Sequence, residues 1–192
     1  MPARLLIAPA ASGKTHYAID RLHAVKANDP FTPVTVILPN QQQLAEFRRR
    51  LAQSGGAIGV ELFTFHLLYV ELLTRVDQRR ARLTDPLQIR LLRHVVDQLC
   101  QTGKLPYYSA LRGKPGFIAL LRDTLEELKR ARIFPTTFHG TVIGLGPRLE
   151  ELAAIYTAYQ DWLQREDWAD AEGQGWLVAI ALAEHEELGR ET

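Results

Sequence analysis

The run Arg4-Leu5-Leu6-Ile7-Ala8-Pro9-Ala10-Ala11-Ser12-Gly13-Lys14-Thr15 constrains this chain more than any other stretch. A short apolar segment passes into small residues, then Gly-Lys-Thr, then a helical pattern from Tyr17 to about Val25. That order spells strand, loop and helix, the layout of a phosphate-binding loop. Small residues let backbone N–H groups wrap phosphate oxygens, and a helix start presents free amides and the positive end of the dipole. Ala10, Ala11, Ser12, Gly13, Lys14 and Thr15 are the candidate phosphate-binding residues. Lys14 would reach the terminal phosphates and the Thr15 hydroxyl would hold Mg²⁺. Ala8 stands where the general pattern has its first glycine. A positive φ there would cost on the order of 1 kcal/mol. The alternative is a Gly-Lys-Thr that does no more than open a helix.

The segments that follow keep the alternation. Asn28-Asp29-Pro30 breaks the first helix. Val34 to Leu38, β-branched and apolar between Pro33 and Pro39, reads as a buried strand. From Gln41 to Leu51 the apolar positions Leu44, Phe47 and Leu51 have helical spacing, with Arg48, Arg49 and Arg50 outward and Gly55-Gly56 as the stop. Val60 to Phe65 is a third strand, and Leu67 to Val76 a helix. Such alternation predicts an α/β fold, a parallel sheet of about three strands with helices packed on it.

Beyond residue 76 the character changes. Six arginines stand against two aspartates between Arg75 and Arg93, and no strand pattern follows. Helices are expected from an Asp85 cap with Pro86 behind it, on to Leu99. Another has Phe117, Leu120, Leu121, Leu125 and Leu128 on its apolar face and ends at Ile133-Phe134-Pro135. A third opens at Gly146-Pro147 and buries Leu149, Leu152, Ile155, Tyr156, Tyr159 and Leu163; a fourth runs from about Gly175 to Leu188. The expected organisation is therefore an α/β phosphate-binding part over 1–76 and an all-helical subdomain over 77–192.

Charge and composition exclude rather than assign. The net charge of +1 announces no global affinity for nucleic acid, so local clusters matter. Arg75, Arg79, Arg80, Arg82, Arg90 and Arg93 either face a phosphate backbone or are solvated helix faces. The single cysteine, Cys100, excludes an internal disulfide and a cysteine-based zinc cluster and reads as a small core residue. A reducing, cytoplasmic setting is the default expectation. No apolar run is long enough for a membrane span. Asp161, Glu166, Asp167, Asp170 and Glu172 form an acidic cluster that reads as a solvated helix end rather than a metal site. Trp162, Trp168 and Trp176 read as core or subdomain-interface residues.

The chain resembles the superfamily 1 helicases, and within them the B subunit of AddAB-type helicase–nucleases. Ala8, Ser12, Gly13, Lys14 and Thr15 match the form Ala-Gly-x-Gly-Ser-Gly-Lys-Thr of that group, whereas Pro9 and Ala11 stand where glycine is usual. Val36 to Gln42 and Phe63 to Leu68 look like the segments after the loop. Gly116 to Lys129, Ile133-Phe134-Pro135, Leu152 to Tyr159 and Asp167 to Leu177 are similar to the helical 1B insertion. The resemblance implies an N-terminal fragment of an ATP-dependent helicase–nuclease subunit with the P-loop NTPase fold, acting in DNA repair and recombination. ATP and Mg²⁺ are the implied cofactors, and single- or double-stranded DNA and a second helicase–nuclease subunit the implied partners. His66 and Tyr69 follow the third strand, where motors of this kind contact single-stranded DNA, and Arg79, Arg80 and Arg82 are the candidate phosphate contacts. The water-orienting carboxylate, the rest of the motor and the nuclease are expected beyond Thr192. Two other readings stay open: a small P-loop kinase with a helical lid, and a non-hydrolysing P-loop scaffold that binds DNA or a motor partner.

Overall fold

The computed structural model describes residues 4–189, and these divide into two compact units. One comprises the described residues up to Glu71 and from His185 onward; the other is Leu72–Glu184.

The first unit is built on α1 (Lys14–Asn28), β1 (Val34–Leu38), α2 (Gln41–Gln53), β2 (Val60–Thr64) and the start of α3 (Phe65–Arg75). β1 and β2 pair in parallel, Val34 opposite Val60 through Leu38 opposite Thr64. Parallel neighbours need a crossover, and α2 supplies it. Asn40 caps α2 by accepting from the Gln43 amide at 2.9 Å. Ile19 and Leu22 of α1 bury with Phe47 and Leu51 of α2, over Val34, Val36, Val60 and Leu62 of the strands. Buried Lys26 ties the loops together, donating to the carbonyls of Thr32 (2.5 Å), Pro30 (3.2 Å) and Gly59 (3.3 Å).

The expected sheet of about three strands is here a pair. Residues 4–9 form no strand, and Leu5 and Ile7 are 87% and 83% exposed. An apolar run becomes a strand only where a neighbour takes its amides and carbonyls. β1 and β2 pair along one shared edge, and among the described residues no strand pairs with 4–9.

The second unit is helical: α4 (Asp85–Gln101), α5 (Pro115–Arg130), α6 (Pro135–Val142), α7 (Pro147–Arg165) and α8 (Ala171–Glu184). Its core joins Leu92, Val95 and Val96 of α4 to Ile118, Leu121 and Leu125 of α5 and to Ile155, Tyr156, Tyr159 and Leu163 of α7. Cys100, Trp162, Trp168 and Trp176 pack partly buried against it. Several local expectations shift. The last helix runs from Ala171 to Glu184, about four residues ahead of the expected run from Gly175 to Leu188. Thr84, not Asp85, is the α4 cap residue. Leu120 is 63% exposed, because Ile118, Leu121 and Leu125 carry the buried stripe of α5. Pro135 opens α6 rather than closing α5, as proline at a first helical position does. A two-residue parallel pair, β3 (Ala81–Arg82) with β4 (Trp168–Ala169), replaces the absence of strands.

Candidate functional site

The candidate phosphate residues come together in one turn. Ala10 to Gly13 lead directly into α1, with Gly13 at the cap position in the left-handed region, φ 85°. The first turn of α1 carries no acidic residue, so its amides and dipole face an anion unopposed. The positive φ that the pattern placed in question at Ala8 falls instead on Ala11, φ 58°. That is the position where the resembling loops carry glycine, and an alanine there is strained by about 1 kcal/mol. The Ser12 hydroxyl donates to the Pro9 carbonyl at 2.7 Å. Lys14 folds back on its own loop, its amine donating to the carbonyls of Ala8 (2.7 Å) and Pro9 (2.5 Å). All of Ala10 to Lys14 are exposed, so those bonds compete with water.

The loop fits a phosphate group: helix-start amides, one lysine, one glycine free to turn, and no carboxylate in the first turn. For Mg²⁺ it offers the Thr15 hydroxyl, and the remaining oxygens would come from phosphates and water. No group of three or more His, Cys, Asp or Glu side chains among the described residues is placed to hold a metal.

The candidate DNA residues fall into both units. His66 and Tyr69 are half-buried, one turn apart on α3, with the Tyr69 ring 6.2 Å from that of Phe65. Arg79, Arg80 and Arg82 lie along the segment that enters β3. Arg80 pairs with Asp167 at 3.2 Å, just before β4. That pair comes from the register, which sets Ala81 opposite Trp168.

The acidic cluster disperses. Asp167 meets Arg80 and Glu172 meets Arg130 at 2.9 Å, both near the surface. Asp170 is not solvated but buried, 3% exposed, and that expectation is corrected. It accepts from both sides: Lys129 at 2.7 and 2.8 Å, the Tyr159 hydroxyl at 2.8 Å, and the Gly173 amide at 2.7 Å. Trp176 covers the same lysine, its ring 5.2 Å away and its indole N–H donating to the Lys129 carbonyl at 2.9 Å. Burial pushes the Lys129 amine below its ordinary value, against the opposing pull of Asp170. The same burial pushes the Tyr159 phenol well up. The sequence signals only the capping half of this: an aspartate directly before a helical run. A second buried acid, Glu151, carries no sequence signal; it accepts from the Tyr107 and Tyr108 amides at 2.6 and 2.9 Å.

These observations describe an α/β unit with a left-handed glycine turn at one helix start and a separate helical unit. The chain belongs to the family described as ADDB, N-terminal, whose model matches residues 5–191. It is similar to the B subunit of the ATP-dependent helicase/deoxyribonuclease of Moorella thermoacetica, 27% identical over 85% of this chain and 15% of that protein. The B subunits of the same name in Bacillus pumilus (23% identical, 98% and 17%) and Anoxybacillus flavithermus (28%, 93% and 16%) match similarly. The chain therefore spans about a sixth of the length of the curated relatives it matches. Among the described residues no helix is long and apolar enough to cross a membrane.

Proposed function

We propose that this chain is the nucleotide-binding N-terminal part of an ATP-dependent DNA helicase–nuclease subunit that acts in DNA repair and recombination alongside a second such subunit. In this reading residues 1–76 would be the nucleotide-binding part and 77–192 the helical subdomain, with the described residues from His185 onward grouping with the first unit. The observation that carries the reading is the α1 start, with Gly13 turned into the left-handed region and Lys14 inside the loop. Ala10 to Gly13 would supply amides to the ATP phosphates, Lys14 would exchange its two carbonyl acceptors for phosphate oxygens, and Thr15 would meet Mg²⁺. A third strand from Leu5 to Ile7 would complete the sheet when further chain covers it. DNA would lie on His66, Tyr69, Arg79, Arg80 and Arg82. Family membership favours this reading over a small kinase.

The non-hydrolysing scaffold draws on one observation, the two carbonyls that already hold the Lys14 amine. Addition of ATP–Mg²⁺ to the chain, followed by amide NMR, tests the site. Shifts centred on residues 10–15 are expected; shifts confined elsewhere would remove the nucleotide from this loop.

A further inference from the structure

The helical unit holds a cleft of about 400 Å³ among α6, α7, α8 and β4. That lies in the range of pockets that take small organic ligands. Its walls include three aromatic rings, Phe134, Trp168 and Trp176, the first and last 4.5 Å apart. Its polar lining includes Gln160, Thr157, Arg80 and the Asp161 carboxylate. The Gln160 amide oxygen is withdrawn from solvent and has no hydrogen-bond partner among the described residues. A buried acceptor without a donor is costly, and a turn of the half-buried Gln160 amide toward the cleft would bring it to a ligand N–H. Arg80 meets Asp167, whose side chain is 74% exposed, so this ion pair is weakly held and free to exchange for a phosphate.

We propose that this cleft is a nucleotide-recognition site. Flat aromatic walls suit the face of a base, the Gln160 oxygen accepts from its amino or ring N–H, and Arg80 takes the attached phosphate. An aliphatic ligand would use the walls but leave both polar groups unanswered. The base comes either from a free nucleotide or from a single strand. The strand source rests on the proposed DNA contacts; the site itself is independent of the Lys14 loop.

All three tryptophans lie in this unit and two line the cleft, so intrinsic emission reports on it directly. The 192-residue chain is titrated with dAMP, with a short oligo-dA strand, and with an abasic strand of the same length. Saturable quenching by dAMP or oligo-dA, and none by the abasic strand, is the expected result. Equal affinity for dAMP and oligo-dA assigns a free nucleotide, and tighter binding of oligo-dA assigns the strand. Gln160→Met, which keeps the volume and removes the acceptor, should weaken dAMP about fivefold with the melting curve unchanged. Arg80→Gln should narrow the difference between dAMP and deoxyadenosine. Lys14→Ala should leave the titration as it was, even if ATP binding at the loop is lost. No saturable quenching, quenching indifferent to Gln160→Met and Arg80→Gln, or quenching abolished by Lys14→Ala would each overturn the assignment.

Discussion

The Lys129 amine lies 2.7 and 2.8 Å from the two carboxylate oxygens of Asp170, with the side chains only 1% and 4% exposed. The pair joins the end of α5 to the start of α8 across 41 residues of sequence. Removing one member strands the other in a medium that solvates charge poorly. Asp170→Ala should therefore lower the unfolding free energy by about 3–5 kcal/mol in urea. Lys129→Met added to Asp170→Ala should recover part of that loss, since no lone charge then remains. Equal stability of Asp170→Ala and the wild type would show that the pair does not anchor α8.

Two helical glycines should respond to alanine with opposite sign. A methyl group on Gly173 would lie 2.7 Å from the Asp170 Oδ1, which Lys129 and the Gly173 amide hold in place. Gly173→Ala should cost about 1–3 kcal/mol as an overpacked site does. Gly140, within α6, has nothing within 4 Å of the same position. Gly140→Ala should stabilise by about 0.5–1 kcal/mol through the unfolded chain. Thermal melts of the two variants check both signs together.

Acid dependence should expose the cluster on α2. Hydrogen bonds from Arg49, then Arg50, hold the Glu46 carboxyl down to about 2 from an ordinary 4.5. A depressed carboxylate contributes stability that is complete above its unfolded value and lost as pH falls through the folded one. The melting difference between wild type and Glu46→Gln should thus be present at neutral pH, shrink below about 4.5 and vanish near about 2. The pair is exposed, so added salt should diminish the difference. A difference independent of pH would exclude the charge as its source.

How much of the fold and site is legible in the residues alone depends on how local each cause is. β1, α2 and β2 follow from a β-branched run between prolines, apolar spacing at Leu44, Phe47 and Leu51, and Asn40 in front. The Gly13-Lys14-Thr15 helix start is equally plain, because turn, cap and helix lie within a few residues. Leu5 to Ile7 has the composition of a strand, yet a strand is completed by its neighbour, which composition does not reveal. β3 and β4 are two residues each, too short for any period. Asp170 is one of five acids between positions 161 and 172, and only packing against Lys129 and Tyr159 separates it from the other four. The cleft is assembled from Arg80, Phe134, Gln160 and Trp176, which no local pattern links.

The arginines before β3 make the DNA reading measurable. Arg79→Ala, Arg80→Ala and Arg82→Ala combined should weaken binding of a labelled single strand about tenfold at low salt, with a shallower salt dependence. Fluorescence anisotropy across a salt series decides it. Unchanged affinity and slope would return these side chains to the role of solvated surface.

The central claim is that the turn before α1 binds a nucleotide through Lys14. Calorimetric titration of ATP–Mg²⁺ into the wild-type chain and into Lys14→Ala tests it most directly. Weak, saturable binding that falls at least about tenfold in the variant is expected, as for loss of a charge-assisted phosphate contact. Equal affinity in the two proteins would contradict the claim and leave Lys14 as a strut between the Ala8 and Pro9 carbonyls.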